Sequence, residues 1–129
     1  MTRIHGRTAL VADDSPVVRD IVAQALRAYG MRVLVAADGE EALAMFGAHT
    51  HVDIVVTDID MPRLDGLALV RTLRSRAASK DVPVVVISMR AGEPERRAAM
   101  AAGVSAYIDK GDFSQALLWQ TIGPLVAGS

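Results

Sequence analysis

The chain has 129 residues, 51% of them apolar, a formal net charge of −1 and no cysteine. That length suits one domain, residues 1–129, able to bury roughly two thirds of its unfolded surface without covalent staples. The composition excludes disorder, a nucleic-acid footprint and thiol chemistry; the longest apolar run, VPVVVISM at residues 82–89, is too short to span a bilayer, and MTRIHGRT at residues 1–8 has no leader-like apolar core, so a cytoplasmic location is expected.

In chain order, short Val- and Ile-rich runs alternate with segments of helical period. ALVA (residues 9–12) reads as the first buried strand. A helix follows, with Ser15 as N-cap, Pro16 at its first position, Val17, Val18, Ile21, Val22, Ala25, Leu26 and Tyr29 on one face, and Gly30 as its stop. VLVA (33–36) is the second strand and residues 40–47 the second helix; DIVVT (53–57) is the third strand and residues 66–76 the third helix. VPVVVIS (82–88), a helix over 94–102 stopped by Gly103, SAYI (105–108) and a helix over 113–126 complete the series. Five strands alternating with five helices predict right-handed βαβ units and a doubly wound, five-stranded parallel α/β sheet of flavodoxin-like type. In such sheets the reactive groups gather beyond the carboxyl ends of the strands.

Those ends carry chemistry. The first strand runs into Asp13-Asp14, the third into Asp58, the fourth into Ser88, and the fifth, after Asp109, into Lys110. Three convergent carboxylates repel, at about 1 to 4 kcal/mol per pair for a 4 Å separation, so a cation must compensate. Hard oxygen donors without nearby His or Cys suit Mg²⁺, or Mn²⁺ in its place. An anionic oxygen, a divalent cation, a lysine and a hydroxyl are the parts of a phosphoryl-transfer site. Asp58 is the nucleophile candidate because it directly follows the most buried strand; Asp13 and Asp14, adjacent and opening a loop, are the metal-ligand candidates.

Across nearly its full length the sequence resembles the receiver (response regulator) domain of two-component signalling, on the acid pair Asp13-Asp14, the Asp58 of TDIDMPRLDG, Ser88 and Lys110, in order and spacing. The resemblance implies a phosphoacceptor role for Asp58, served by a histidine kinase or phosphotransfer domain, or by a small phosphodonor. It implies Mg²⁺ held by Asp13, Asp14, Asp58 and the backbone carbonyl of Asp60, with Lys110 pairing with the phosphoryl group. Ser88 is expected to move toward that group, and Tyr107 stands where the family has a ring that swaps between exposed and buried positions, with simple packing as the alternative reading. The output would be a changed partner-binding surface on the fourth helix, fifth strand and fifth helix, in a monomer or weak homodimer. The KGDF segment at residues 110–113 is similar to receivers attached to chemotaxis-type histidine kinases.

Two departures stand out. Family members usually carry a cis proline after the lysine, whereas Gly111 stands here, so a trans bond and a looser loop are expected. Asp60 and Arg90, each two residues beyond a site residue, are expected to pair across the site entrance beside Met89 and to govern how water reaches an acyl phosphate.

Other residues have plainer readings. Asp65 caps the third helix; Met45 and Met61 pack; His5, His49 and His51 lie at the surface without a paired ligand; Trp119 anchors the last helix or sits at an interface. Arg71, Arg74, Arg76 and Lys80 read as a solvated helix end, and Arg96 and Arg97 as solvated charge or a docking element. Two rival functions compete. A haloacid-dehalogenase-like phosphatase would share the Asp58-Ile-Asp60 pattern, but it places that strand first and needs room for a cap. A phosphate-independent interaction module would not need all five site residues.

Overall fold

The computed structural model describes residues 6–48, 51–90 and 92–127. Its elements are β1 (Thr8–Ala12), α1 (Pro16–Ala28), β2 (Arg32–Ala36), α2 (Gly39–Ala48), β3 (Ile54–Thr57), α3 (Gly66–Ser75), β4 (Val84–Ser88), α4 (Glu93–Ala102), β5 (Ala106–Asp109), a 3₁₀ turn (Lys110–Asp112) and α5 (Gln115–Ala127). All strand pairs are parallel, in the order β2-β1-β3-β4-β5. The strand order reverses beside β1, so the loops after β1 and β3 diverge from a shared crevice.

Period-two alternation divides the strand side chains between two cores. Leu10, Val55, Val84, Val86 and Tyr107 pack with Leu69, Val70 and Leu73 of α3 and Ala99 of α4. Val11, Ile54, Val56, Val85, Ile87 and Ile108 pack with Val22 and Leu26 of α1 and Leu118 and Ile122 of α5. The apolar Val/Ile runs are thus covered on both sides, as parallel strands require.

Helix ends follow local chemistry. Ser15 accepts the Val18 N–H at 3.3 Å and caps α1, and Asp65 accepts the Ala68 N–H at 2.8 Å and caps α3. Gly103, at φ 106°, ends α4 in the left-handed conformation that glycine takes without strain.

Several expectations need correction. The apolar stripe of α1 is wider than the sheet can cover, leaving Val17 and Ile21 exposed. The second strand is an edge, and Arg32 and Val35 face outward. β4 starts at Val84, because Val82 closes a turn onto the Ser79 carbonyl at 3.2 Å. α5 starts at Gln115, after the 3₁₀ turn, with the Ser114 hydroxyl accepting the Leu117 N–H at 3.0 Å. No described helix is long and apolar enough to cross a membrane.

Candidate functional site

The parallel register aligns the strand ends that carry the acids. Ala12 pairs with Ala36 on one side and Thr57 on the other, and the ladder continues as the Asp13 N–H bonds the Ala36 carbonyl at 3.1 Å and the Asp58 N–H bonds the Ala12 carbonyl at 3.0 Å. Asp13 and Asp58 are thereby fixed as neighbours by backbone hydrogen bonds, before any side-chain contact is considered. Carboxylate oxygens of Asp13, Asp14 and Asp58 all lie within 4.8 Å of one another. Asp13 and Asp58 are buried and Asp14 is exposed, so the cluster opens to solvent on one side.

Lys110 reaches in from the edge strand β5, at the same end of the sheet. Its ammonium lies 3.0 Å from Asp58 Oδ2 and 3.2 Å from Asp13 Oδ2. The second Asp58 oxygen accepts the Ile59 N–H at 2.7 Å, and Asp13 Oδ1 accepts the Ser15 N–H at 2.9 Å. Burial pushes Asp58 above the ordinary carboxylate value; Lys110 pulls the other way without cancelling it, and the Asp13 charge adds to the rise. Burial acts to depress Lys110, but the hydrogen bond and charge of Asp58, with those of Asp13, outweigh it and leave the ammonium raised. One lysine is insufficient for three acids: Asp58 remains harder to ionise than a free aspartate. Three hard carboxylates at ligand spacing, one of them short of positive charge, fit a divalent ion such as Mg²⁺.

Ser88, Arg90 and Tyr107 form a connected edge to the site. The Ser88 oxygen accepts the Arg90 N–H at 3.1 Å, and the Tyr107 hydroxyl donates to the Arg90 carbonyl. Ser88 is fully buried and the Tyr107 ring nearly so, with the Arg96 guanidinium 4.8 Å from the ring centroid. The Arg90 side chain crosses to Asp60, whose pKa it holds below the usual carboxylate range. The expected ion pair is therefore formed, beside a Met89 that is 72% exposed.

The Lys110-Gly111 bond is trans. The looser loop expected there is not seen: Asp109 accepts the Gly111 N–H at 2.9 Å and caps the 3₁₀ turn, which orders the segment without a proline.

Two readings of surface charge change. Arg74 is half-buried and paired, donating to the Gly103 carbonyl at 2.9 and 3.1 Å and to Lys80 O at 3.1 Å. Arg96 lies over Tyr107, whereas Arg97 is exposed as expected. His51 is at the surface but has a partner, its Nε2 lying 2.5 Å from Oδ1 of buried Asp53 at the opposite end of the sheet. His5 and His49 lie outside the described residues. Trp119 stacks on Tyr29, ring centroids 4.4 Å apart, and so anchors α5 to α1. Sequence reasoning missed Asp38 and Arg63, which pair between the loop after β2 and the loop after β3.

The family model described as the response regulator receiver domain matches residues 9–122. The chain is 38% identical to the gliding motility regulatory protein of Myxococcus xanthus over 90% of its own length but only 15% of that protein's. It is 37% identical to the chemotaxis protein CheY1 of Helicobacter pylori, covering 78% of this chain and 82% of the relative. With response regulator MprA of a Mycobacterium species it shares 42% identity over 78% of its length and 43% of the relative's. Among solved structures it is similar to chemotaxis protein CheY4 of Vibrio cholerae, at TM-score 0.85 and 27% identity, with 92% of this chain and 98% of that one covered. The receiver domain of the Francisella response regulator 1452 superposes at TM-score 0.86 with 28% identity, covering 95% of this chain and 98% of that one.

Proposed function

The chain belongs to the response regulator receiver domain family, and on that footing we propose that it is a Mg²⁺-dependent phosphoacceptor that switches a partner-binding surface. The observation that carries this reading is the convergence of Asp13, Asp14 and Asp58 within 4.8 Å, with Lys110 3.0 Å from Asp58.

Asp58 acts as nucleophile. A carboxylate oxygen attacks phosphorus on the phosphohistidine of a histidine kinase or phosphotransfer domain, or on a small donor such as acetyl phosphate. A P–O bond forms as the bond to the leaving group breaks, and a departing imidazole takes its proton from solvent. Asp13, Asp14, Asp58 and the Asp60 carbonyl would hold the metal; bound Mg²⁺ supplies charge neutralisation for the acids and the incoming phosphoryl oxygens. Lys110, already beside Asp58, pairs with the transferred group. Water later attacks phosphorus, the bond to Asp58 breaks, and the carboxylate is regenerated.

The conformational response begins at Ser88. Its oxygen accepts from Arg90 in this structure, so turning the hydroxyl toward the phosphoryl group draws on the same loop that receives the Tyr107 hydroxyl. Phosphorylation adds about −1.5 to −2 charge for Lys110 and Ser88 to answer. The altered face would comprise α4, β5 and α5, presented to a downstream protein by a monomer or weak homodimer in the cytoplasm. Likeness to CheY1 and the gliding motility protein supports a chemotaxis-type pathway.

Incubation with acetyl phosphate and Mg²⁺, followed by intact-mass measurement, tests the reading. Wild type should gain one phosphoryl group and Asp58→Asn none; equal labelling of both would refute it.

A further inference from the structure

A charged pair holds the loop that follows Asp58. Asp38, only 2% exposed, accepts the Glu41 N–H at 2.8 Å through Oδ1 and so serves the start of α2. Its other oxygen accepts Arg63 Nε at 2.9 Å and also Arg63 Nη2. Beside this pair the Gly39 N–H bonds the Leu64 carbonyl at 3.1 Å, an approach so close that a Cβ on Gly39 would lie 2.2 Å from that oxygen.

Arg63 occupies an unusual backbone position. The Leu64 N–H bonds the Pro62 carbonyl at 2.7 Å, closing a γ-turn with Arg63 at its centre and φ at 67°. A γ-turn of that hand is the rare, strained form. Arg63 is the only residue other than glycine with positive φ among those described. Glycine would sit there without strain, whereas a larger residue persists only where its surroundings hold it. The grip on Asp38 is the side-chain contact available to hold it, alongside the Gly39–Leu64 backbone hydrogen bond. Little freedom separates this grip from Asp60, because Met61 is buried and the Pro62 ring locks φ.

We propose that the Arg63–Asp38 clamp is a positioning device for the metal site. It fixes residues 59–64 so that the Asp60 carbonyl stays where an ion held by Asp13, Asp14 and Asp58 would meet it. This rests on the metal-site reading given under Proposed function, and Arg63 and Asp38 act through the loop without touching ion or phosphoryl group.

Calorimetric titration with MgCl₂ of wild type, Arg63→Gly, Asp38→Asn and the double variant tests it. Glycine accepts the left-handed φ, so Arg63→Gly removes the clamp without adding strain, and Asp38→Asn keeps an oxygen for the α2 start. Each single variant should weaken Mg²⁺ binding about 10-fold, as loss of a partner behind a metal ligand does. The double variant should lose no more than either single one. Metal-free melting of Arg63→Gly should stay at or above wild type, and phosphorylation by acetyl phosphate should need more Mg²⁺ but reach the wild-type rate at saturation. If wild type binds Mg²⁺ and Arg63→Gly binds within about twofold of it, or the two losses add in full, the clamp has no positioning role. Wild type that binds no Mg²⁺ overturns the metal-site reading, and the clamp's role with it.

Discussion

The Arg90 guanidinium grips the Asp60 carboxylate and so ties the loop after β4 to the loop after β3, with Nε 3.1 and 3.0 Å from the two oxygens and Nη2 2.7 Å from Oδ1. Both side chains are 54% exposed, so the pair adds little to folding, and the role proposed for it is control of water access. Asp60→Asn and Arg90→Ala should each shorten the phosphoryl lifetime roughly tenfold by admitting water to a site that otherwise limits it. Added salt should shorten the wild-type lifetime and leave that of Asp60→Asn nearly unchanged. Radiolabel decay at two ionic strengths checks this; lifetimes in both variants equal to wild type would dismiss the pair as a gate.

A second prediction concerns the cost of crowding acids. Burial raises Asp58 above its unfolded value, so between roughly pH 4 and that raised value the folded chain binds more protons than the unfolded one. Stability therefore falls as pH climbs through the window, and above it the full loss remains. Asp58→Asn should remove this slope and raise the metal-free melting temperature at neutral pH, by ~4 °C for each kcal/mol relieved. Asp13→Asn should act in the same direction, since the Asp13 charge adds to the rise at Asp58. Asp38 and Asp60 are depressed, so their stabilisation is lost as pH falls, equally in wild type and in both variants. Thermal melts in EDTA across that range decide it; destabilisation of both variants would contradict the repulsion argument.

The repulsion arises where Asp13 and Asp58 meet, and that meeting was legible in the sequence. Each directly follows a buried apolar strand, and parallel register brings such residues to the same end of the sheet. Lys110 was legible for the same reason at β5. Asp38 and Arg63 were not, because their contact depends on the hand of one turn and on two loops approaching, neither of which has a hydrophobic period. Nor was the exposure of Val17 and Ile21. A helical stripe says which residues share a face, but the width of the sheet decides how much of that face is covered.

Tyr107 is inward in this structure, and two contacts keep it there: its hydroxyl on the Arg90 carbonyl and the Arg96 guanidinium over its ring. Cation–π contacts near a surface contribute about 0.5 to 1 kcal/mol, so Arg96→Ala should move the ring population outward two- to fivefold. Tyr107→Phe keeps the ring contact and loses only the hydroxyl. Fluorine NMR of fluorotyrosine-labelled protein reads the effect in the arginine variant. A spectrum of Arg96→Ala identical to wild type would remove Arg96 from the proposed switch.

The start of α3 presses against the proposed phosphoacceptor itself. A Cβ on Gly66 would lie 2.0 Å from the Asp58 carbonyl oxygen and 2.9 Å from the Ile59 Cα, and because both neighbours are backbone, neither can rotate away. The contact is reinforced by the Gly66 N–H on the Ile59 carbonyl at 2.8 Å. Gly66→Ala should therefore destabilise the fold by at least the ~1 to 3 kcal/mol of an overpacked core, and slow phosphorylation by displacing Asp58. Gly47 in α2 provides the contrast: a Cβ there meets nothing within 4 Å, so Gly47→Ala should gain about 0.5 to 1 kcal/mol from helix propensity and leave phosphorylation unchanged. Urea unfolding of both variants separates the two effects. A Gly66→Ala protein as stable and as readily phosphorylated as wild type would mean that the strand-to-helix turn can yield where this geometry says it cannot.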